Sequence, residues 1–266
     1  MKEYSIIDCH CHIYPDGIVS KAVEAIESFY DNRYKGADGR IETMRKNGEA
    51  SGVEGFIVFS VATTPHQVHS INNFIAECVE KSGGVFTGLG ALHPDSEALQ
   101  SDFDELCSLG LRGVKLHPDI QKIAIDDERM KRIYRLCEGK LPVLLHTGDY
   151  RYDFSNPDRM KRILDEFPGC TFIGAHLGGW SVWDEAVGKL SGYPNFYVDT
   201  SSCLCDISPE KFSELIEKYT PDKVLFGTDY PLGDVAGEIE VIRNSVKDEE
   251  SLEKIFYKNA QMLFNL

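Results

Sequence analysis

The chain has 266 residues, 42% of them hydrophobic and 27% charged, and a formal net charge of -15. That length allows a sizeable core in one large α/β domain or two small ones. The acidic balance counts against nucleic acid or an acidic membrane surface as partner and directs attention to small molecules.

The first apolar stretch, Ser5-Ile6-Ile7-Asp8-Cys9-His10-Cys11-His12, predicts a strand. Simple alternation would put Asp8, His10 and His12 on one face and Ile7, Cys9 and Cys11 on the other. A helical pattern follows, with Val19, Ala22, Val23, Ile26, Phe29 and Tyr30 on one side, then a polar run over residues 31–39 and a second helix over 40–50. This gap before the next strand is the longest in the chain, so it is the candidate for a lid or pocket wall.

A regular rhythm then begins. Short apolar runs at 55–62 (GFIVFSVA), 86–93 (FTGLGALH), 113–117 (GVKLH), 142–146 (PVLLH), 171–176 (TFIGAH), 195–200 (NFYVDT) and 223–229 (KVLFGTD) alternate with helical patterns. The helix after the fifth run opens with Asn156 as N-cap and Pro157 in its first turn. The last helix, about 249–264, should bury Leu252, Ile255, Phe256 and Leu263. Nearly uninterrupted apolar strands are the mark of parallel strands covered on both faces. Eight of them alternating with helices predict a single-domain (β/α)8 TIM barrel over 1–266, with a helical excursion after strand 1. An open doubly wound sheet would be expected to carry a Gly-rich turn after its first strand, and none is present.

In such a barrel the chemistry sits at the C-terminal ends of the strands. His10 and His12 end strand 1, His93 strand 3, His117 strand 4, His146 strand 5, His176 strand 6 and Asp229 strand 8. Six of the eight histidines therefore fall on one rim, a bias that stability alone does not explain. A cation site wants three or four N/O/S donors, which one strand cannot supply but this rim can. His93 and His117, each followed by proline, are also read as strand closures, and His66 and His69 as solvated. Asp8 is expected to orient a histidine or accept an outer hydrogen bond.

Asp8-x-His10-x-His12, Gly113-Val-Lys-Leu-His-Pro118, His146, Gly174-Ala-His176-Leu-Gly-Gly179, Asp199-Thr-Ser201 and Gly227-Thr-Asp229-Tyr-Pro231 together resemble the amidohydrolase superfamily. The similar branch is the amidohydrolase-2 group, which includes aminocarboxymuconate-semialdehyde decarboxylase. The resemblance implies that His10, His12, His146 and Asp229 bind a divalent metal, expected to be Zn²⁺, with His176 and Asp229 as catalytic residues. It also leaves Lys115 and His117 as possible second-metal or substrate ligands, with Lys115 either a carboxylated bridge or an ordinary amine.

The primary expectation is hydrolysis of an amide, lactone or ester-like bond by attack of a metal-bound water. Non-oxidative decarboxylation of a small carboxylic acid is the alternative, and a metal- or ligand-binding barrel without turnover is a third reading. Arg151 is a candidate carboxylate anchor, with Tyr150 beside it and Trp180 as a flat apolar wall. A homo-oligomer is possible.

Residues 1–15 lack the basic and apolar regions of a signal peptide, and no apolar run approaches the roughly 18 residues of a membrane span, so the expected location is the cytoplasm. There the eight cysteines should stay reduced and mostly act as small hydrophobes. No Cys-x-x-Cys occurs; Cys203-Leu204-Cys205 and Cys9-His10-Cys11 come nearest to it, with Cys203 and Cys205 weighed for a zinc or redox role.

Overall fold

The computed structural model describes residues 4–33, 36–204 and 206–266. Its strands are β1 (Ile6–His12), β2 (Val53–Phe59), β3 (Phe86–Gly88), β4 (Gly90–Ala91), β5 (Val114–Leu116), β6 (Val143–Leu145), β7 (Phe172–Gly174), β8 (Phe196–Asp199) and β9 (Val224–Leu225). All neighbouring strands pair in parallel, in the orders β1-β2-β3 and β4 through β9. Strands β3 and β4 are two pieces of one stave, interrupted at Leu89, whose N–H reaches Val58 O at 2.9 Å. The last stave meets the first through Cys9 N–H to Phe226 O at 2.8 Å and a bridge between Cys11 and Tyr230. Eight staves thus close a (β/α)8 barrel, as the apolar rhythm predicts.

Around it run α1 (Val19–Phe29), α2 (Ile41–Ala50), α3 (Val68–Lys81), α4 (Leu99–Ser108), α5 (Pro118–Gln121), α6 (Glu128–Cys137), α7 (Pro157–Glu166), α8 (Trp183–Leu190), α9 (Pro209–Tyr219), α10 (Val235–Ser245), α11 (Glu249–Glu253) and α12 (Asn259–Phe264). Asn156 caps α7 as expected, its side chain accepting from Arg159 N–H. The expected terminal helix is present but widens into a π-helical segment at Lys254–Lys258. No described helix is long and apolar enough to cross a membrane.

The core divides by strand face. Ile7, Cys9, Ile57, Phe59, Leu144, Ile173 and Leu225 form one cluster, which Ala260 and Phe264 of α12 join. Neighbouring strand residues such as Ile6, Cys11, Val143, Leu145 and Phe172 belong to the larger cluster shared with the helices. Five buried cysteines sit in these apolar surroundings, as small hydrophobes do. Cys205 lies outside the described residues.

One expectation changes here. The register of β1 against β2 shifts between Asp8 and Cys11, a β-bulge that breaks the two-residue alternation. Cys9 packs in the inner cluster, while Asp8 borders a crevice with Met44 and Gly48 of α2. Its carboxylate accepts from His10 N–H, Thr228 N–H and the Thr228 hydroxyl at 3.1, 3.0 and 2.6 Å. Asp8 therefore ties β1 to the loop that carries Asp229 and meets no imidazole ring.

Glu238 of α10 is buried, and its Oε2 has no hydrogen-bond partner. Burial, then the nearby carboxylates of Asp8, Asp229 and Asp234, push its pKa well above the ordinary 4.5. Below 4.5 the group is protonated both folded and unfolded. As pH rises further the unfolded chain ionises first, so stability is lost towards the folded-state pKa. In metal-free protein, Glu238→Gln is expected to flatten the fall in Tm as pH rises above 4.5. Parallel Tm–pH curves for the two proteins would show that Glu238 does not supply this slope.

Candidate metal centre

The strand ends gather the polar side chains at one rim. From β1 come His10 and His12, both buried; Asp229 follows β9 in a turn with φ +63°. Asp229 Oδ1 lies 3.3 Å from His10 Nε2 and 3.4 Å from His12 Nε2, so the three present converging donors that could hold a cation. Asp229 Oδ2 accepts from the Ser202 hydroxyl at 2.6 Å. Burial alone would raise the Asp229 pKa, but His10, His12 and His176 overcome it and hold the carboxyl well below its usual range.

Outer partners set the tautomers, which are inferred from their hydrogen bonds. His10 Nδ1 lies 2.8 Å from Asp199 Oδ2 and must donate to it, leaving a lone pair on Nε2 facing Asp229. Burial, followed by the charge of Lys115, lowers the His10 pKa to about 4, so the ring is neutral and able to coordinate. Burial lowers His12 as well. Asp199 also accepts from the N–H groups of His176 and Ser201, each at 3.1 Å, and from the Ser201 hydroxyl. Burial opposes its ionisation, yet the interaction with His10 and these donors bring its pKa down to about 2. The Asp199-Thr-Ser201 segment thus serves as the hydrogen-bonded support of the site.

Lys115 of β5 is buried beside the triad. Its Nζ is 3.2 Å from His10 Nε2 and 4.9 Å from the centre of the Phe59 ring. Among the described residues no carboxylate comes within ion-pairing distance of it, and burial lowers its pKa to about 8.

His146 stands in a neighbouring group with His117 and Asp119. Asp119 escaped the sequence reading because it lies beyond the strand, on the short α5 that opens at Pro118. His176 Nδ1 is 2.9 Å from the Ser201 carbonyl oxygen and must donate, so His176 Nε2 accepts from His146 Nδ1 at 2.9 Å. That relay leaves a lone pair on His146 Nε2, which is buried without a hydrogen-bond partner, as is Asp119 Oδ1. His146 Nε2 is 3.5 Å from Asp119 Oδ2. The His117 and His146 rings stack at 4.0 Å and 8°, so their in-plane lone pairs run alongside each other instead of converging. His117 Nδ1 accepts from Ile120 N–H at 3.3 Å, which puts its proton on Nε2 and makes that edge a donor.

The three candidate substrate residues have other engagements. The Arg151 guanidinium is held by both oxygens of Asp149 at 2.8 and 2.9 Å, by Asp31 at 2.9 Å and by the Phe29 carbonyl at 2.7 Å. It lies among the rings of Phe29, Tyr30, Tyr152 and Trp180. Arg151 therefore pins the C-terminal end of α1 over the rim, where a cation also suits the helix dipole. Trp180 is buried against Tyr30, whereas Tyr150 is 69% exposed. A cavity of about 590 Å³ opens beside His12, and none of these three residues lines it. His93 closes its strand by accepting from Asp95 N–H, and the exposed His69 pairs with Glu105.

A parallel eight-stave barrel with His-x-His on its first strand and an aspartate after its last belongs to the class of barrels that build a divalent-cation site at the strand C-termini. The amidohydrolase family model matches residues 7–266, and the chain belongs to that family. No curated protein matches the sequence. Among solved structures, an uncharacterised TIM-barrel protein from Bordetella bronchiseptica is similar at 22% identity and TM-score 0.82, covering 98% of both chains. A 5-carboxyvanillate decarboxylase from Novosphingobium aromaticivorans, complexed with manganese and 4-hydroxy-3-methoxy-5-nitrobenzoic acid, gives 17% and 0.75, covering 99% of this chain and 96% of that one. A dihydroxybenzoic acid decarboxylase from Polaromonas sp., with manganese and 2-nitroresorcinol, gives 19% and 0.72, covering 99% and 97%. At these identities the likeness is one of fold.

Proposed function

We propose that the protein is a metal-dependent, non-oxidative decarboxylase of a small carboxylic acid. Lys115 carries the reading: a buried cation beside the triad, without a carboxylate in ion-pairing distance among the described residues. Burying such a charge unpaired is costly, and an incoming substrate carboxylate would offset that cost. The similar solved structures that are decarboxylases point the same way. Hydrolysis, the primary expectation from sequence, becomes the second reading; it draws support from Asp229, which stays ionised and could serve as a base towards water.

His10 Nε2, His12 and Asp229 converge as a donor set that fits a divalent cation, and His146, whose Nε2 lone pair is buried and unpartnered in the neighbouring group with His117 and Asp119, is the proposed fourth ligand. Such a cation, when bound, supplies a Lewis acid that fixes and polarises the substrate. Manganese and zinc both suit N/O ligands of this kind. Lys115 then steers the carboxylate to the rim. When CO₂ leaves, the bonding pair stays on carbon and a proton must replace it. His176, tied at one nitrogen to Ser201 and at the other to His146, stands in a relay suited to that transfer.

The test is protein loaded separately with Mn²⁺ and Zn²⁺, assayed on hydroxylated aromatic and unsaturated carboxylic acids in parallel with lactones and amides. CO₂ released in step with substrate loss, with deuterium from D₂O appearing on the vacated carbon, is expected. Acid release from lactones or amides with no CO₂ from any carboxylic acid would establish hydrolysis instead.

A further inference from the structure

The cavity beside His12 runs between two helices that turn apolar faces towards it. Helix α1 and its N-cap contribute Ile18, Ala22, Ala25, Ile26 and Phe29, positions three or four apart on one side of the helix. Across from them stand Ile71 and Phe74 of α3, with Val61 and Ile120 between the helices and the barrel. Several of these side chains are only partly buried, and Ile18 is 51% exposed, so apolar surface is left uncovered next to a candidate metal ligand. At about 590 Å³ the space far exceeds the roughly 150 Å³ of an engineered apolar cavity that accommodates benzene. Its one charged lining residue is Lys21, an exposed side chain of α1. Arg151, the nearby guanidinium, is consumed by Asp149 and Asp31.

We infer that the substrate is a monocarboxylic acid with an extended apolar body, which lies in the groove between α1 and α3 while its carboxylate reaches the rim at His12. The inference rests on the proposed decarboxylase reading for the fate of the carboxylate, but the groove's preference is independent of it. His12, a member of the candidate cation site, lines the groove, and that shared residue makes the substrate's own body the occupant assigned to it. A second carboxylate at the far end of that body would lose its hydration against largely apolar walls, with only the solvent-exposed Lys21 as a charged group to meet it.

The test uses the full-length protein loaded with Mn²⁺ and 2,6-dihydroxybenzoates bearing para n-alkyl chains from methyl to hexyl, alongside analogues whose chains end in carboxylate. Calorimetry measures Kd and CO₂ release measures kcat/KM. Each methylene is expected to improve Kd by about fourfold until the groove is filled, and the terminal carboxylate should cancel that gain. Ala25→Trp, which fills the groove from an exposed position on α1, should compress the hexyl-to-methyl Kd ratio at least about tenfold while metal content stays unchanged.

Chain-length-dependent binding without CO₂ release would sustain the groove assignment and count only against decarboxylation. CO₂ release with Kd indifferent to chain length would overturn the assignment and leave decarboxylation standing. A dimer that Ala25→Trp dissociates, with no chain-length dependence in either protein, would show a second copy covering the groove and equally overturn the assignment.

Discussion

Asp229→Asn is expected to abolish cation retention and turnover together. The carboxylate is the anionic member of the triad, 3.3 and 3.4 Å from the two imidazole nitrogens. An amide would turn a donor N–H₂ or a neutral oxygen towards them. The metal affinity should fall by more than the ~10–100-fold typical of losing an outer hydrogen-bond partner. The metal-free variant should nevertheless fold, because the amide can donate to the His10 Nε2 lone pair and still accept from Ser202. What disappears is the stabilisation by metal, about 2.7 kcal/mol at a free concentration of one hundred Kd, or roughly 5–10 °C in Tm for a chain of this size. Elemental analysis and melting with and without Mn²⁺ check both halves. Full metal content in the variant would remove Asp229 from the ligand set.

How much of this was legible in the sequence follows from the kind of interaction involved. The barrel was legible because parallel strands buried on both faces leave runs such as Val143-Leu144-Leu145, and such runs recur at helix-length intervals. The rim position of the histidines followed from the same rhythm, since five of the eight runs, those of strands 1, 3, 4, 5 and 6, end in one. The bulge in β1 was not legible: inserting one residue changes which face Asp8 takes without changing any residue type. Nor was the fate of Arg151. Whether a loop guanidinium meets substrate or an internal carboxylate depends on the loop's path, and here Asp149, two residues earlier, turns back to hold it. Asp119 and Glu238 were missed for a related reason, since a buried carboxylate on a helix reads like a solvated one until its neighbours are known.

The relay from Ser201 through His176 to His146 alters what removal of His176 should do. From sequence, His176→Ala would keep the metal and lose activity. In the structure His176 Nε2 is the acceptor that keeps the His146 proton on Nδ1 and its lone pair on Nε2. Without it that tautomer is no longer enforced, and the alanine variant is expected to bind metal ~10–100-fold more weakly as well as to lose turnover by about 10²–10⁴. Gln at the same position separates the two effects. Its side-chain oxygen can accept from His146 and restore metal affinity, but an amide cannot carry the proton that carbon needs. Metal titrations of the alanine and glutamine variants, each followed by an assay at saturating metal, read the two roles independently. Equal metal affinity in wild type and the alanine variant would confine His176 to the chemical step. Turnover restored by glutamine would instead deny it any part in proton transfer.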